Sequence, residues 1–266
     1  MAESFQLSSD AAELYESAFV PAFFAQWAPL LCDAAGIGPG QRALDVACGT
    51  GIVARTAAER GATAAGVDLN DAMLTVARRV RPDLDFRQGN ADALPFADGS
   101  FDSVLCQMAL MFFPDRSQAL AEMARVAITE GTVAVAVPGA LDTQAAFAPF
   151  VAMAARHAGP EALSLLSTYF ACGSLDDLAA LASSAGLDVA SAATHLGTYR
   201  APSIDAFVTT EVESTPLADR LSDDVYRQIR SDAHDVLTPF TTPDGRVEAP
   251  FECNIVVGHP VRDRSS

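Results

Sequence analysis

From Arg42 onward, short apolar runs alternate along the chain with amphipathic stretches of helical spacing. The runs read as five buried strands: "RALDVAC", "ATAAGVDLN", "LDFRQGNA", "FDSVLCQMAL" and "GTVAVAVP". Between them, "GIVARTAAERG", "AMLTVARRV" and "RSQALAEMARVA" are predicted helices. We expect Gly61 to end the first helix and Asp71 to cap the second. Strands that alternate with helices of this length predict a parallel sheet with helices on both faces.

The segments on either side of this region are also helical, but less regular. Between residues 10 and 35 apolar residues recur at helical spacing, and Pro21 and Pro29 divide the segment into pieces. Residues 140–172 and 203–240 are predicted to be mostly helical. Both are long for connections inside a sheet, and insertions of that length are typically functional lids.

The remaining elements complete the predicted sheet. "SLDDLAALASSAGL" is a predicted helix that Ser174 could cap, and "DVASAATHLGTYR" is a sixth strand. "PFECNIVVGHP" follows the turn at "PDG" as a last strand, which we expect to run antiparallel.

The turn after the first strand, "LDVACGTG" at residues 44–51, is built for close approach to the backbone. Gly49 and Gly51 would let a ligand reach N–H groups that we expect to be unpaired at the start of a helix. In a doubly wound sheet, ligands bind at this edge. "GTGIVA" also fits a dinucleotide pattern, and Asp68, ending the next strand, could accept the ribose hydroxyls of NAD or of any adenosine. The pattern alone indicates an adenosine-containing ligand.

Three further features narrow the choice of ligand. Asp45 lies four residues before Gly49 and places a carboxylate beside the turn, which suits an ammonium or sulfonium group and opposes a pyrophosphate. Asp92, in "GNADALPF", is positioned to accept from an adenine amino group. "FDSVLCQMALMFF" runs from a strand into a bulky apolar segment that could form the wall of a small-molecule site.

Several spaced motifs together resemble the class I S-adenosylmethionine-dependent methyltransferases of the ubiquinone/menaquinone-biosynthesis type. The motifs are "LDVACGTG", "GVDLNDAML", "GNADALPFADGSFDSVLCQMALMFFPD" and "ALAEMARVA", within residues 40–140. Tyr15 and "FVPAFFAQWA" look like the N-terminal lid helix of these enzymes. Two departures stand out. "AITEGT" replaces a Leu-Lys-Pro-Gly-Gly turn, where we expect an altered loop far from the ligand, and "VPGA" lacks a frequent aromatic residue near the substrate.

The resemblance implies S-adenosylmethionine as cofactor and assigns residues to it. The methionine part would be lined by Asp45, Ala47, Gly49 and Gly51, and the ribose held by Asp68. The adenine would meet Leu69, Met73, Asp92 and Ala93. The amino group would face the backbone around Cys106 and Gln107, and Tyr15 would close on the carboxylate.

The implied fold is a Rossmann-like, doubly wound α/β sheet of seven strands, mostly parallel with an antiparallel last strand, plus a helical cap. We expect one methyltransferase domain over residues 1–266. Its predicted parts are N-terminal lid helices at 1–38, a cofactor-binding core at 39–139, cap insertions at 140–172 and 203–240, and the rest of the sheet at 173–200 and 247–262.

The chemistry of methyl transfer requires few catalytic groups. The protein must hold a nucleophile in line with the methyl group and exclude water, and a base is optional. His195, late in the sixth strand, is the first candidate base, and His157 and His234 in the cap segments are the others. For each, a structural or solvent-facing role is the commoner alternative. No metal-binding spacing of His and Cys occurs, and aromatic residues in the lid and cap suggest a hydrophobic acceptor.

Composition excludes several other classes of function. The net charge is −17, and all 17 basic residues are arginine, which argues against binding to nucleic acid or anionic membranes. The five scattered cysteines argue against a disulfide framework. No apolar run is long enough to span a membrane, and no signal peptide is evident, so we expect a cytoplasmic protein with a small-molecule substrate.

Four functions remain open on the sequence. The first is methyl transfer to a small hydrophobic acceptor, at oxygen, nitrogen or carbon. The second uses the sulfonium of the same cofactor for a cyclisation or elimination without methyl transfer. The third is an NAD-dependent oxidoreductase, which rests on "GTGIVA" and Asp68 alone. The fourth is a non-catalytic module that binds S-adenosylmethionine.

Overall fold

The computed structural model of the chain describes residues 8–213 and 215–261. Residues 1–7 of the predicted lid and residue 262 of the predicted sheet lie outside the described residues. Seven strands form one sheet in the order β3-β2-β1-β4-β5-β7-β6. The strands are β1 Arg42–Val46, β2 Thr63–Asp68, β3 Asp85–Gln88, β4 Phe101–Gln107, β5 Ala127–Pro138, β6 Leu187–Ala201 and β7 Val247–Pro260.

The first five strands are parallel, as their apolar composition predicts. β1 lies between β2 and β4, with Leu44 opposite Ala65 on one side and Val104 on the other. β2 pairs with β3, and β4 with β5. Four of the five β1 residues are buried, as expected for a strand covered on both faces. The carboxyl ends of these strands therefore share one edge, and the loops that follow them meet there.

β7 runs antiparallel to both of its neighbours, which confirms the prediction for the last strand. Gly139 N donates to Glu252 O at 2.8 Å, while His259 Nδ1 lies 2.9 Å from Gly131 O, so β7 runs backwards along β5. Val261 N donates to Gly186 O at 2.8 Å beside the start of β6. His259 therefore lies near the amino-terminal end of β5, opposite the glycine loop.

Ten α-helices are found in the described residues. They are α1 Ser9–Leu14, α2 Val20–Ala22, α3 Trp27–Ala34, α4 Ile52–Glu59, α5 Asp71–Val80, α6 Arg116–Val126, α7 Phe147–Ser167, α8 Leu175–Ser184, α9 Ile204–Glu213 and α10 Asp223–Leu237. A π-helical turn, Tyr15–Phe19, joins α1 to α2. None of the described helices has the length and apolar character needed to cross a membrane.

The helix caps test the sequence predictions closely. Ser174 caps α8 as predicted, since its hydroxyl accepts from Asp177 N. The prediction that Asp71 caps α5 is wrong. Asn70 is the capping residue, because its Oδ1 accepts from the amides of Ala72 and Met73. Asp71 is instead the first helical residue.

The segment "AITEGT" belongs to β5, so the altered loop expected there is not present. α6 ends at Val126 and β5 begins at the next residue. The register between β4 and β5 shifts after Phe101, which accommodates the extra residues as a bulge. Gly131 lies in this irregular stretch, where a Cβ would be 2.8 Å from Ile128 O and 3.0 Å from Asp102 O. The glycine is therefore retained for backbone packing.

The chain forms two compact units. The first comprises the residues up to Val137, Ser174–His195 and the residues from Asn254 onward. It contains α1 to α6, α8 and the first four strands, with nearly all of β5. Its core includes fully buried Trp27, Leu44 and Leu105.

The second unit comprises Pro138–Gly173 and Leu196–Cys253, and it contains α7, α9 and α10. Both predicted cap insertions fall within it. Its core is aromatic, because the ring of Phe147 lies 5.0 to 5.5 Å from the rings of Tyr199, Phe207, Phe251 and Phe170. Gly159, with φ +80°, interrupts α7 just before Pro160 and kinks the helix.

Candidate active site

The glycine loop connects β1 to α4, and every second residue in it has a positive φ. Ala47, Gly49 and Gly51 have φ values of +54°, +53° and +86°. Positive φ at a residue with a Cβ, as at Ala47, costs energy and is often found at functional sites. The loop turns sharply enough for α4 to begin directly after Gly51.

Three amides of this loop donate within the protein, so the expectation of unpaired loop amides is wrong at these three positions. Cys48 N donates to Val67 O at 3.0 Å, and Gly51 N donates to Cys48 O at 2.8 Å. Gly49 N donates to the carboxylate of Asp68 at 2.8 Å. The bonds from Cys48 and Gly49 hold the loop against β2, and the bond from Gly51 closes a turn within the loop.

The side chain of Asp45 lies at the amino-terminal end of α4 and accepts hydrogen bonds from its backbone amides. Its Oδ2 accepts from Ala54 N at 3.0 Å, and the amide of Val53 also bonds to the carboxylate. An anion bound at a helix N-terminus would use these same amides. Burial, reinforced by the nearby charge of Asp68, raises the pKa of Asp45 to about 8, although the α4 amides and Arg55 oppose the rise. The start of α4 therefore offers neither of these amides to a diphosphate.

Asp68 is fixed at the end of β2 by two backbone amides. Oδ2 accepts from Gly49 N and Oδ1 accepts from Asn70 N, both at 2.8 Å. Each carboxylate oxygen has a further lone pair for a hydroxyl donor. Burial raises the pKa of Asp68, while these amides pull it back down. The side chain is oriented for a vicinal diol without using all of its accepting capacity.

Three polar side-chain atoms in loops or strand ends at this edge are buried and lack a hydrogen-bond partner within the described part of the chain. They are Thr50 Oγ1, Asp92 Oδ1 and Gln107 Oε1. Thr50 follows β1, Asp92 follows β3, and Gln107 is the last residue of β4. The carboxyl ends of these strands share one edge of the sheet. Buried polar atoms are rarely left unpaired in native proteins. The carboxylate of Asp92 and the amide oxygen of Gln107 would accept from amino groups, so these residues fit an adenosyl amino acid.

The other predicted adenine residues differ in exposure. The side chain of Leu69 is 46% exposed, which is unusual for leucine and leaves it able to contact a ligand. Met73 is buried and packs with Ala12, Val76 and Tyr15 in a small apolar cluster. Ala93 is exposed beside a turn in which its amide donates to Asn90 O. Cys106 is fully buried in β4.

Tyr15 lies directly over the glycine loop. Its ring is 3.7 Å from the position that a Cβ on Gly49 would take, and it stacks on Phe24 with the centroids 4.9 Å apart. Gln107 Nε2 donates to Phe24 O at 3.1 Å, so the same segment is also attached to the end of β4. Burial and the charges of Asp68 and Asp45 raise the pKa of Tyr15, which remains a hydroxyl donor.

The sequence did not indicate the role of Phe86 at this site. A Cβ on Gly51 would lie 2.7 Å from Phe86 Cζ, and a Cβ on Gly66 would lie 2.7 Å from Phe86 Cδ1. Residue 51 is therefore glycine because the ring of Phe86, in β3, leaves no room there for a Cβ. Only contacts between residues far apart in the chain reveal this.

The three candidate bases are placed as follows. His195 lies in β6 of the first unit and is half-buried. His157, in α7, has Nε2 2.9 Å from Asp232 Oδ2 of α10, so a hydrogen bond holds its ring within the second unit. His234 is exposed in the last turn of α10. The catalytic assignment of each histidine stays a prediction.

The second unit contains an acidic group that the sequence did not single out. Tyr199 donates to Glu211 Oε1 at 2.9 Å, and burial raises the pKa of Glu211 to about 7. No group of three or more His, Cys, Asp or Glu residues within the described ranges is arranged to hold a metal ion. A separate cavity of about 400 Å³, lined by Arg42, Arg87 and Phe96 among others, opens at the amino-terminal ends of the strands, away from the glycine loop.

Comparison with known proteins identifies the core. A family model described as "Methyltransferase domain" matches residues 44–135. Demethylmenaquinone methyltransferases from Renibacterium salmoninarum and Beutenbergia cavernae are 46% and 40% identical over 111 and 110 residues. These alignments cover 42% and 41% of this chain and 47% and 46% of the relatives. The chain thus spans about half the length of the curated relatives it matches.

Solved structures extend the likeness in fold to most of the chain. The YcgJ protein of Bacillus subtilis superposes with a TM-score of 0.59 at 20% identity, covering 89% of this chain and 99% of that one. A Haemonchus contortus phosphoethanolamine N-methyltransferase bound to S-adenosylhomocysteine superposes with a TM-score of 0.58 at 19% identity. The superposition covers 96% of this chain and 58% of that one.

The family match begins inside β1 and ends inside β5, so it contains the glycine loop, Asp68, Asp92 and Gln107. Together with the fold, it confirms the resemblance drawn from the motifs. Residues 44–135 match the methyltransferase family model, and the aligned relatives support a class I S-adenosylmethionine-dependent methyltransferase core of the ubiquinone/menaquinone-biosynthesis type.

Proposed function

We propose that the whole chain is an S-adenosylmethionine-dependent methyltransferase whose acceptor is a small, hydrophobic organic molecule. The observation that carries the proposal is the position of Asp45, whose carboxylate takes up the amides at the start of α4. Because these amides are already occupied, the helix start does not offer them to a diphosphate, which favours an adenosyl sulfonium over a dinucleotide.

The residues of the core have distinct tasks in this proposal. Asp68 would accept the ribose hydroxyls, and Asp92 and Gln107 would accept from amino groups of the cofactor. Tyr15 would cover the loop and exclude water. When bound, the cofactor supplies an activated methyl group, so the protein needs mainly to orient the acceptor. His195, His157 and His234 are the proposed sources of a base where the acceptor requires one.

The acceptor is proposed from the properties of the chain. A net charge of −17 opposes polyanions such as nucleic acids. Phe112, a few residues after the end of β4, is 43% exposed, and an exposed aromatic ring at this edge is consistent with a hydrophobic acceptor. The curated demethylmenaquinone methyltransferases match over the cofactor core, so their acceptor is one candidate within a wider class of hydrophobic molecules.

Isothermal titration calorimetry tests the cofactor assignment. We expect S-adenosylmethionine and S-adenosylhomocysteine to bind with micromolar affinity, and NAD to give no heat. Asp68→Asn, which keeps the shape but removes the charge, should weaken S-adenosylhomocysteine binding about tenfold, because hydrogen bonds to charged groups contribute about 1.5–3 kcal/mol. Absence of heat with both adenosyl ligands at high micromolar concentration would contradict the proposal.

Methyl transfer itself is tested with a deuterated-methyl cofactor. Hydrophobic phenols, quinols and amines are incubated with the protein, and the products are analysed by mass spectrometry. We expect the label in one or more products. Turnover of an acceptor without incorporation of label would exclude methyl transfer.

A further inference from the structure

We propose that the ion pair between Glu16 and Arg55 is a latch that positions Tyr15 over the glycine loop, with Arg55 as the positioning residue for cofactor retention. The inference rests on the proposed function, because it concerns the same cofactor site. Neither Glu16 nor Arg55 belongs to the residues that the family resemblance assigns to the cofactor.

The pair has the geometry of a strong, directional contact. Arg55 uses both terminal nitrogens on the two carboxylate oxygens of Glu16, at 2.7 and 3.1 Å. The two side chains are only 12% and 18% exposed. A planar guanidinium that binds a carboxylate through two parallel hydrogen bonds fixes orientation as well as distance.

The position of the pair connects it to the site. Glu16 follows Tyr15 directly in the π-helical turn, and Arg55 lies in the first turn and a half of α4, which starts at the end of the glycine loop. The contact therefore joins the turn that carries the Tyr15 ring to the helix that carries the loop. π-helical turns are frequently found at functional sites.

A second ion pair on the same segment provides an internal comparison. Glu13 of α1 contacts Arg79 of α5 at 2.6 Å, but both side chains are more than half exposed. Exposed pairs of this kind contribute little, because water and salt screen them. A buried pair that loses one partner leaves an unpaired charge and is costly to break. The Glu16–Arg55 pair should therefore control whether the segment stays closed, and the Glu13–Arg79 pair should not.

The expected consequence is a shift in the fraction of closed molecules. The apparent dissociation constant of a ligand rises in proportion as its binding-competent state becomes less populated. If closure over the loop retains the cofactor, weakening the latch should speed release of the cofactor without removing any residue that contacts it.

The test compares Glu16→Gln with Glu13→Gln, using S-adenosylhomocysteine as the probe. Glu16→Gln keeps the shape of the side chain, retains Arg55 and should raise the Kd about tenfold, mainly through faster dissociation. Glu13→Gln should bind like the unchanged protein. Arg55→Lys, which keeps the charge but loses the paired contact, should fall between the two.

Two further readouts distinguish a latch from general destabilisation. Hydrogen exchange of the amides in residues 9–26, measured without ligand, should accelerate in Glu16→Gln while β1 and β4 stay protected. The exchanged pair Glu16→Arg with Arg55→Glu should bind more tightly than either of its single variants. Equal affinity and equal exchange in Glu16→Gln and the unchanged protein would overturn the latch.

The two proposals fail in different ways. If the unchanged protein binds no S-adenosylhomocysteine, the proposed function is wrong, and the exchange measurement still reports whether the pair holds the segment. If the unchanged protein binds and Glu16→Gln binds equally well with a normal melting temperature, the latch alone is wrong.

Discussion

At the scale of single residues, the glycine loop shows that a glycine in a binding motif can be required for packing and not for ligand access. Gly49 lies under the ring of Tyr15, whereas Gly51 lies against Phe86 from the third strand. The sequence predicts both glycines as ligand-facing positions. The structure gives Gly51 a packing role that spacing within the motif could not indicate, because its partner is distant in the chain.

Substitution of these two glycines by alanine should separate strain from collision. Gly49→Ala meets no atom closer than 3.7 Å and should cost about 1–2 kcal/mol, the penalty of the left-handed backbone. Gly51→Ala adds the collision with Phe86 and should cost roughly 1–3 kcal/mol more, as overpacked cores do. Urea unfolding followed by circular dichroism measures both.

A double variant is the control for this interpretation. Gly51→Ala combined with Phe86→Leu should lose less than the sum of the two single losses, because the smaller side chain relieves the contact. Equal losses for Gly49→Ala and Gly51→Ala, or strict additivity in the double variant, would show that the Phe86 ring does not determine residue 51.

At the scale of elements, the periodic pattern was sufficient to predict the helices and the parallel strands of the core. Boundaries were harder, because adjacent residues compete to cap a helix. Asn70 and Asp71 both favour the N-cap chemically, and the sequence favoured the wrong one. The π-helical turn at Tyr15 had no sequence signal, and its contacts, Tyr15 over the loop and Glu16 with Arg55, join residues far apart in the chain.

The cap assignment gives a direct prediction for α5. Asn70→Ala should lower the free energy of unfolding by about 1 kcal/mol, because the amides of Ala72 and Met73 lose their acceptor. Asp71→Ala should cost less than half as much, since it removes an exposed charge from the first turn and a solvent-screened contact with Arg78 at 3.4 Å. Thermal unfolding of both variants measures the difference, and a larger loss for Asp71→Ala would contradict the assignment.

At the scale of the whole molecule, each compact unit contains an acid whose pKa lies well above its ordinary value, the buried Asp45 in the first and the half-buried Glu211 in the second. In the first unit the pKa of Asp45 rises to about 8, and in the second that of Glu211 rises to about 7, both mainly through burial. The folded state then binds protons more strongly than the unfolded chain. Stability from these groups is complete near pH 4 and is lost as pH rises through their folded pKa values.

We therefore expect the free energy of unfolding to fall between pH 5 and pH 8 in the unchanged protein. Each group contributes at most about 1.4 kcal/mol per pH unit. Asp45→Asn should flatten the fall in the first unit, and Glu211→Gln should flatten it in the second. Urea unfolding at several pH values, followed by hydrogen exchange in each unit, measures the slopes; unchanged slopes would mean that neither acid is buried as described.

The limits of sequence reasoning follow the same division of scale. The cofactor core could be predicted in detail because each motif combines a local backbone requirement with a local chemical role. The second unit could be predicted only as mostly helical, because its aromatic core joins residues from Phe147 to Phe251 that share no motif. Glu211 and Tyr199 were missed for the same reason.

The carboxylate at the start of α4 also constrains how this protein could be redesigned. The obvious position for a change of coenzyme toward a phosphorylated one is the acid that we propose to hold the ribose, Asp68. That route is closed in this chain, since two helix amides are already satisfied from within. Engineering must begin at residue 45. A first variant there will leave the amides of Val53 and Ala54 without an acceptor until the new coenzyme binds.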